Sequence, residues 1–203
     1  ISLFSGAGGL DIASHMADVP VIFSTDIEKD CIETLQSNKK YFKNTTIIQG
    51  DLSKISSNII RDKIMQYEFD KFIVIGGAPC QPFSKAGYWV GHETRKGIND
   101  PRAFLVDEYL RVVLELSPDG FVFENVESLL HPTNKVIVDS FIKLIQEAGY
   151  NYKIIRANAL DYGVPQKRKR LFIVGIKGDF ISEAPRKTHG NPDSLQEGVL
   201  PYV

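Results

Sequence analysis

A cysteine set between two prolines is the first residue in this chain whose position suggests chemistry. Cys80 lies in the segment GGAPCQPFS, directly after the apolar run KFIVI. Pro79 and Pro82 fix their own φ angles and bias the residues before them toward extended backbone. A thiol held on a stiff loop at the end of a strand suits a nucleophile. Taken alone, Cys80 has a second interpretation, that of a small buried residue.

Short apolar runs alternate with amphipathic segments along most of the chain. We predict strands at 1–4, 19–26, 45–51, 71–77, 120–126, 152–160 and 170–176, and helices at 28–39, 103–116 and 134–148. This alternation favours a doubly wound, mostly parallel α/β sheet. No clear helix separates the last two strands, so we expect an antiparallel strand at one edge of the sheet.

Composition narrows the class of protein. The chain has 203 residues, 43% of them hydrophobic, which is ample for one core. No apolar run approaches the roughly 20 residues that a membrane span needs, so we predict no membrane association. Two cysteines without a C-x-x-C pair, and histidines without ligand spacing, predict no metal site and a reducing, cytoplasmic setting. The net charge of −1 does not indicate a nucleic-acid partner, and the basic run QKRKR at 166–170 is a weak signal.

Glycines and acidic residues at the strand ends predict a nucleoside pocket. Gly6, Gly8 and Gly9 follow the first strand, where they allow a tight turn and close approach of a ligand. Asp26 ends the second strand and is placed to accept from ribose hydroxyls, and Asp51 ends the third and is placed to accept from an adenine amine. Helix capping or turn formation is the alternative for both aspartates.

The spacing of these glycines departs from G-x-G-x-x-G, which counts against a dinucleotide and its pyrophosphate. S-adenosylmethionine carries adenosine and a carboxylate but no phosphate, so it is the better fit.

Four blocks, in order, resemble the DNA cytosine-5 methyltransferase family. They are FSGAGG (4–9), GGAPCQPFS (76–84), FENV (123–126) and YGVPQKRKRLFIVG (162–175), and DPRAFL (100–105) and RKTHG (186–190) also resemble family segments. The resemblance implies the Rossmann-like class I methyltransferase fold, S-adenosylmethionine as cofactor and double-stranded DNA as partner.

The resemblance also assigns roles at a catalytic centre. Cys80 would attack carbon 6 of a flipped-out cytosine as a thiolate, and Glu124 would hold ring nitrogen 3. Arg170 would steady Glu124 and the base, and Arg168 would contact the thiol region or a phosphate. The loop at 81–102 is the expected clamp over the base.

Two further sets of residues follow from the same likeness. The cofactor-binding set is Phe4, Gly6, Gly8, Gly9, Asp26, Ile27, Asp51, Leu52 and Pro79. The substrate-binding set is Gln81, Ser84, Asn125 and Gln166.

We predict a catalytic domain at 1–177 and a connection at 178–203 that leads toward a target-recognition region outside this sequence. The resemblance implies a monomer in the full-length form, or a second subunit carrying that region, in a bacterial or phage restriction-modification system. Three alternatives stay open: the same chemistry on structured RNA such as transfer RNA, a non-catalytic partner that keeps the fold, and a nicotinamide oxidoreductase. The last would leave PCQ and QKRKR unexplained.

Overall fold

The computed structural model describes residues 1–79, 104–179, 183–191 and 198–202. The strands are β1 Ser2–Leu3, β2 Phe23–Asp26, β3 Thr46–Gln49, β4 Ile73–Gly76, β5 Gly120–Asn125, β6 Tyr150–Asn158, β7 Lys169–Lys177, β8 His189–Gly190 and β9 Leu200–Pro201. The α-helices are α1 Gly9–Met16, α2 Lys29–Ser37, α3 Lys39–Phe42, α4 Ser57–Ile64, α5 Phe104–Leu116 and α6 Lys135–Glu147. Short 3₁₀ turns include Leu52–Lys54 and Ala159–Tyr162.

Seven strands form one sheet in the order β3-β2-β1-β4-β5-β7-β6. Strands β1 to β5 are parallel, whereas β7 is antiparallel to both β5 and β6. The prediction of a mostly parallel, doubly wound sheet with antiparallel pairing at one edge is therefore confirmed. The antiparallel strand, β7, is second from that edge, and β6 is outermost.

The strand order reverses between β1 and β4, which are neighbours in the sheet. Leu3 lies opposite Gly76 in their register, so the glycine turn after β1 and the segment GGAP, which begins at the last residue of β4, leave the sheet side by side. Ligands of open α/β sheets bind at such a reversal, outside the carboxyl ends of the strands. The topology thus brings the two most unusual sequence segments to one place.

Both faces of the sheet carry apolar clusters, which explains the continuous apolar character of the strands. Ile48 of β3 packs on the main core, whereas its neighbour Ile47 packs on a smaller cluster of Ile32, Leu35 and Phe42. Because successive side chains of a strand point to opposite faces, the two clusters lie on opposite sides of the sheet.

The chain after β7 returns to the turn at Ala159–Tyr162. Asp161 is buried, with 7% exposure, and it accepts hydrogen bonds from Lys187 Nζ at 2.8 Å and from the Tyr202 hydroxyl at 3.0 Å. The Thr188 N–H donates to the Asp161 carbonyl at 3.0 Å. Strands β8 and β9, which the sequence did not predict, pair parallel beside this turn. The division of the chain near residue 177 stays a prediction.

Replacing Asp161 by asparagine should weaken the contact between the turn at Ala159–Tyr162 and the residues after β7, because the charged hydrogen bond from Lys187 is lost. That bond lowers the pKa of Asp161 below its ordinary value. We expect the amide hydrogens of Thr188 and Tyr202 to exchange about 5- to 10-fold faster, measured at neutral pH by hydrogen–deuterium exchange.

The exposed pair of Lys135 and Asp139 supplies the control. Asp139→Asn should leave the same amides unchanged, and equal exchange in both variants would contradict the prediction. Since the pKa of Asp161 is lowered by folding, its contribution is present above about pH 4, the ordinary aspartate value, and is lost as pH falls through the lowered pKa.

Candidate active site

The turn after β1 depends on backbone conformations that side chains rarely adopt. Phe4, Gly6 and Gly8 have φ angles of 52°, 54° and 86°. A Cβ at Gly8 would approach side-chain atoms of Leu35 and Phe42 to 2.8 Å, so only glycine fits there. Phe4 keeps a left-handed φ although it is bulky, and such strain is concentrated at functional sites. The turn delivers the chain into the first residue of α1.

Asp26 at the end of β2 is fastened to this turn. Its Oδ2 accepts from the Gly6 N–H at 2.8 Å, and its Oδ1 accepts from the Glu28 N–H at 2.9 Å. Each carboxylate oxygen has a second lone pair, so the group retains capacity to accept from a ligand. The neighbouring Ile27 exposes 57% of its surface, which is unusual for isoleucine and leaves an apolar platform beside the carboxylate.

Asp51 caps the 3₁₀ turn at Leu52–Lys54. Its Oδ1 accepts from the Ser53 N–H at 3.0 Å and from the Ser53 hydroxyl at 2.8 Å. These bonds lower the pKa of Asp51. The capping role considered for Asp51 is therefore present. Its Oδ2 lies 3.9 Å from the Nζ of the exposed Lys54, which is beyond hydrogen-bond length, so this oxygen can still accept from a ligand. Leu52 is 3% exposed with its side chain in the core, so a ligand contact from Leu52 would use its main chain.

A carboxylate and a guanidinium meet where β5 and β7 run side by side. Glu124 Oε1 lies 2.8 Å from Arg170 Nε, and their side chains are 22% and 23% exposed. The antiparallel register, with Asn125 opposite Leu171, brings the end of β5 beside the start of β7. Gly77 borders the carboxylate, because a Cβ there would lie 2.7 Å from Glu124 Oε2.

Asn125 links the end of β5 to the segment after β4. Asn125 is 1% exposed, its Nδ2 donates to the Ala78 carbonyl at 3.2 Å, and its Oδ1 accepts from the Val126 N–H at 2.9 Å. Ala78 lies two residues before Cys80 in the sequence. Cys80, Gln81 and Ser84 themselves lie outside the described residues, so their predicted roles stay predictions.

A cavity of about 410 Å³ lies where these elements meet, within the size range of small-molecule sites. The predicted site residues in its lining are Phe4, Gly9, Glu124, Arg168 and Arg170. The remaining lining residues, which the sequence analysis did not single out, are Leu10, Gly77, Ala157, Ala159, Tyr162 and Phe172. Strand alternation could have identified Phe172, since it lies two residues after Arg170 and shares its face of β7.

Other predicted residues lie around the cavity without lining it. Asp26, Ile27, Asp51 and Leu52 lie at or just after the carboxyl ends of β2 and β3. Asn125 is buried and Gln166 is exposed, and neither belongs to the lining. Within the described ranges, no cluster of three or more metal-ligating side chains occurs. The helices of the same ranges include none that is long and apolar enough to cross a membrane.

Comparison with known proteins shows the family to which the chain belongs. The protein family described as "C-5 cytosine-specific DNA methylase" matches this chain over residues 1–200. The Type II methyltransferase M.SacI of Streptomyces achromogenes is 38% identical over 215 residues, covering all of this chain and 54% of the relative. The Type II methyltransferase M.AquIA of Picosynechococcus is 40% identical over 207 residues, covering 97% of this chain and 79% of the relative.

Solved structures agree on the fold. A protein encoded within an Escherichia coli prophage, described as a DNA modification methyltransferase, superposes with a TM-score of 0.70 at 29% identity, covering 87% of this chain and 45% of that one. The Dnmt2 methyltransferase of S. pombe superposes with a TM-score of 0.65 at 16% identity, covering 90% of this chain and 50% of that one, which shows the fold alone. The present chain thus spans about half the length of several relatives. From the match over residues 1–200 and the 40% identity to M.AquIA, the chain belongs to the C-5 cytosine-specific DNA methylase family.

Proposed function

We propose that this chain carries the catalytic part of an enzyme that methylates carbon 5 of cytosine in duplex DNA, through a covalent adduct with Cys80. The observation that carries the proposal is the cavity at the reversal of strand order. It joins Phe4 and Gly9 of the glycine turn to the Glu124–Arg170 pair. The proposed sites for the methyl donor and for the methyl acceptor therefore lie in one cavity.

The residues at the ends of β1, β2 and β3 suit S-adenosylmethionine. Phe4 and Ile27 offer apolar surface for a purine, Asp26 and Asp51 offer acceptors for ribose hydroxyls and an adenine amine, and α1 begins beside the cavity at Gly9. When bound, S-adenosylmethionine supplies the electrophilic methyl group. Pro79, which is exposed next to Cys80 in the sequence, would border the same ligand.

The other wall of the cavity suits an activated pyrimidine. In the proposed reaction the Cys80 thiolate forms a bond to carbon 6, and the carbon 5–carbon 6 double bond opens, so that electron density moves to carbon 5 and nitrogen 3. Glu124 shares a proton with nitrogen 3 as negative charge develops there, and Arg170 fixes the orientation of that carboxylate. After methylation, loss of the carbon 5 proton to a base restores the double bond and releases the thiolate.

The target carbon is shielded in a duplex, so the base must leave the helix to reach this cavity. Arg168, in the cavity wall, and the exposed Lys167 and Lys169 supply positive charge at its rim for DNA phosphates. Gln81, Ser84 and Gln166 are proposed substrate contacts, and Asn125 is proposed to position the Cys80 segment through its bond to Ala78.

The curated relatives support a role in a Type II restriction-modification system, acting on double-stranded DNA. A target-recognition region, supplied by the same polypeptide or by a second subunit, would complete the enzyme. Structured RNA remains the second substrate to be tested.

Mechanism-based trapping tests this proposal. The full-length protein should form a complex that survives denaturing gel electrophoresis when it is mixed with S-adenosylmethionine and duplex DNA carrying 5-fluorocytosine at its target site. Fluorine at carbon 5 cannot be removed as a proton is, so the adduct should persist.

Cys80→Ser should form no such complex. A complex with this variant would refute the covalent role of Cys80. So would the absence of a complex when the folded native protein is given 5-fluorocytosine DNA of the sequence that it methylates. Trapping on 5-fluorocytosine transfer RNA but not on DNA would refute the proposed substrate.

A further inference from the structure

Arg111, in the middle of α5, makes an unusually complete set of hydrogen bonds. Its Nε donates to Glu108 Oε2 at 2.8 Å, and its Nη1 donates to the Ser57 hydroxyl at 3.0 Å and to Glu115 Oε2 at 3.1 Å. Its Nη2 donates to the carbonyls of Leu52 and Ile55, both at 3.1 Å. A guanidinium has five N–H donors, and all five have acceptors here.

The two carbonyls bound by Nη2 span the 3₁₀ turn at Leu52–Lys54, from its first residue to the residue after it. This turn follows Asp51 directly, and its Ser53 holds the Asp51 carboxylate through both an N–H and a hydroxyl. The path from Arg111 to Asp51 is therefore one turn of backbone. The Arg111 side chain is 26% exposed and that of Glu108 is 8% exposed, so the pair is shielded from much of the screening that weakens surface ion pairs.

Only arginine can make this arrangement. Its planar fork reaches two carbonyls from one nitrogen while the other nitrogens hold Glu108, Glu115 and Ser57. Lysine has three donors on a single point and cannot span the same acceptors. Core packing alone explains neither the number nor the direction of these bonds.

We propose that Arg111 is a positioning residue for the cofactor site, which fixes the turn that holds Asp51 against the adenine amine. This inference rests on the proposed function, because it assigns Asp51 the role of reading that amine. Arg111 itself touches no substrate or cofactor, and it acts through the carbonyls of Leu52 and Ile55.

Selective binding of two ligands tests the inference. The ligands are S-adenosylhomocysteine and an analogue whose purine lacks the 6-amino group, with dissociation constants measured by calorimetry on the full-length protein. The native protein should prefer the amino ligand by about 10-fold, since the analogue leaves an acceptor of Asp51 unpaired. Arg111→Lys should reduce this preference to about 2-fold or less.

Arg61→Lys is the matched control. Arg61 on α4 also donates to a helix carbonyl, that of Glu115 at 2.8 Å, and it donates to Asn58 Oδ1 within its own helix rather than to the turn. This variant should keep the native preference, even where its melting temperature falls as much as that of Arg111→Lys. Should Arg111→Lys fail to fold, Glu108→Gln, which weakens the Nε contact, should reduce the preference in the same direction by a smaller factor.

The possible failures are distinct. A native protein that binds neither ligand would refute the proposed function. If the native protein binds both ligands without preference for the amino ligand, the role of Arg111 is refuted. The same holds if Arg111→Lys, or its substitute Glu108→Gln, leaves the preference unchanged. Neither result would contradict the proposed cofactor site.

Discussion

Replacing Glu124 by glutamine should lower the rate of methyl transfer by about 10²- to 10⁴-fold, the usual contribution of general acid–base catalysis. Glutamine keeps the shape of the side chain but cannot share an acidic proton with nitrogen 3 of the base. It also loses the charged hydrogen bond to Arg170, which holds the carboxylate at 2.8 Å. The measurement is single-turnover transfer of labelled methyl groups to duplex DNA by the full-length protein.

The variant should fold and bind S-adenosylmethionine as the native protein does. Glu124 lines the open cavity, and the amide oxygen of glutamine can still accept from Arg170 Nε, so the substitution should change the free energy of unfolding by only about 1 kcal/mol. Glu127→Gln is the control, since Glu127 lies three residues later, 3.9 Å from Arg156 and outside the cavity wall. Equal rates for Glu124→Gln and Glu127→Gln would exclude Glu124 from the chemistry.

The sheet was predictable because buried parallel strands are nearly continuous apolar runs. All seven strands of the main sheet were predicted, and helices α5 and α6 match their predictions within a residue or so at each end. Strand bounds were less well predicted: the run 19–26 forms a strand only from Phe23. Apolar character marks burial, whereas the start of a strand is decided by which neighbour offers hydrogen bonds.

The order of strands at the edge could not be predicted from local pattern. The sequence indicated only that the last two strands pair antiparallel. Strand β7 lies between β5 and β6 because it pairs with the edge of β5, and this pairing joins residues far apart in the sequence. This pairing also creates the site, because it puts Arg170 beside Glu124.

Aspartates show a different limit of sequence reasoning. Asp26 and Asp51 each bond to nearby backbone N–H groups, as a turn or cap residue does, and each retains acceptor capacity toward solvent. The two interpretations are compatible, so spacing could not decide between them. The sequence does not indicate a role for Asp161, because its partners, Lys187 and Tyr202, lie in a segment with few periodic apolar residues.

Gly77 was overlooked for a physical reason: the value of a missing side chain depends on what would occupy its place. A Cβ on Gly77 would meet Glu124 Oε2 at 2.7 Å and the Glu124 carbonyl at 3.3 Å. The carboxylate is the flexible end of a side chain and can move, so alanine at this position should displace it rather than unfold the protein. The φ angle of Gly77 is not left-handed, so alanine at this position adds no backbone strain.

Gly77→Ala should therefore lower methyl transfer by about 10²-fold, the effect expected when a catalytic group is misplaced by about 1 Å. The adjacent glycine gives the opposite outcome. A Cβ on Gly76 would lie 2.4 Å from the Leu3 carbonyl, which is backbone and cannot yield, so Gly76→Ala should lower the free energy of unfolding by about 1–3 kcal/mol. Thermal unfolding and single-turnover rates on both variants separate the two effects.

A double-mutant cycle decides whether Gly77 acts through Glu124. Adding Gly77→Ala to Glu124→Gln should change the rate by less than about 3-fold, since the group that the alanine displaces no longer does chemistry. If the two substitutions instead multiply, each lowering the rate by its full factor, Gly77 acts elsewhere. The lack of a side chain at Gly77 would then matter for the position of the segment that carries Cys80, rather than for the position of the Glu124 carboxylate.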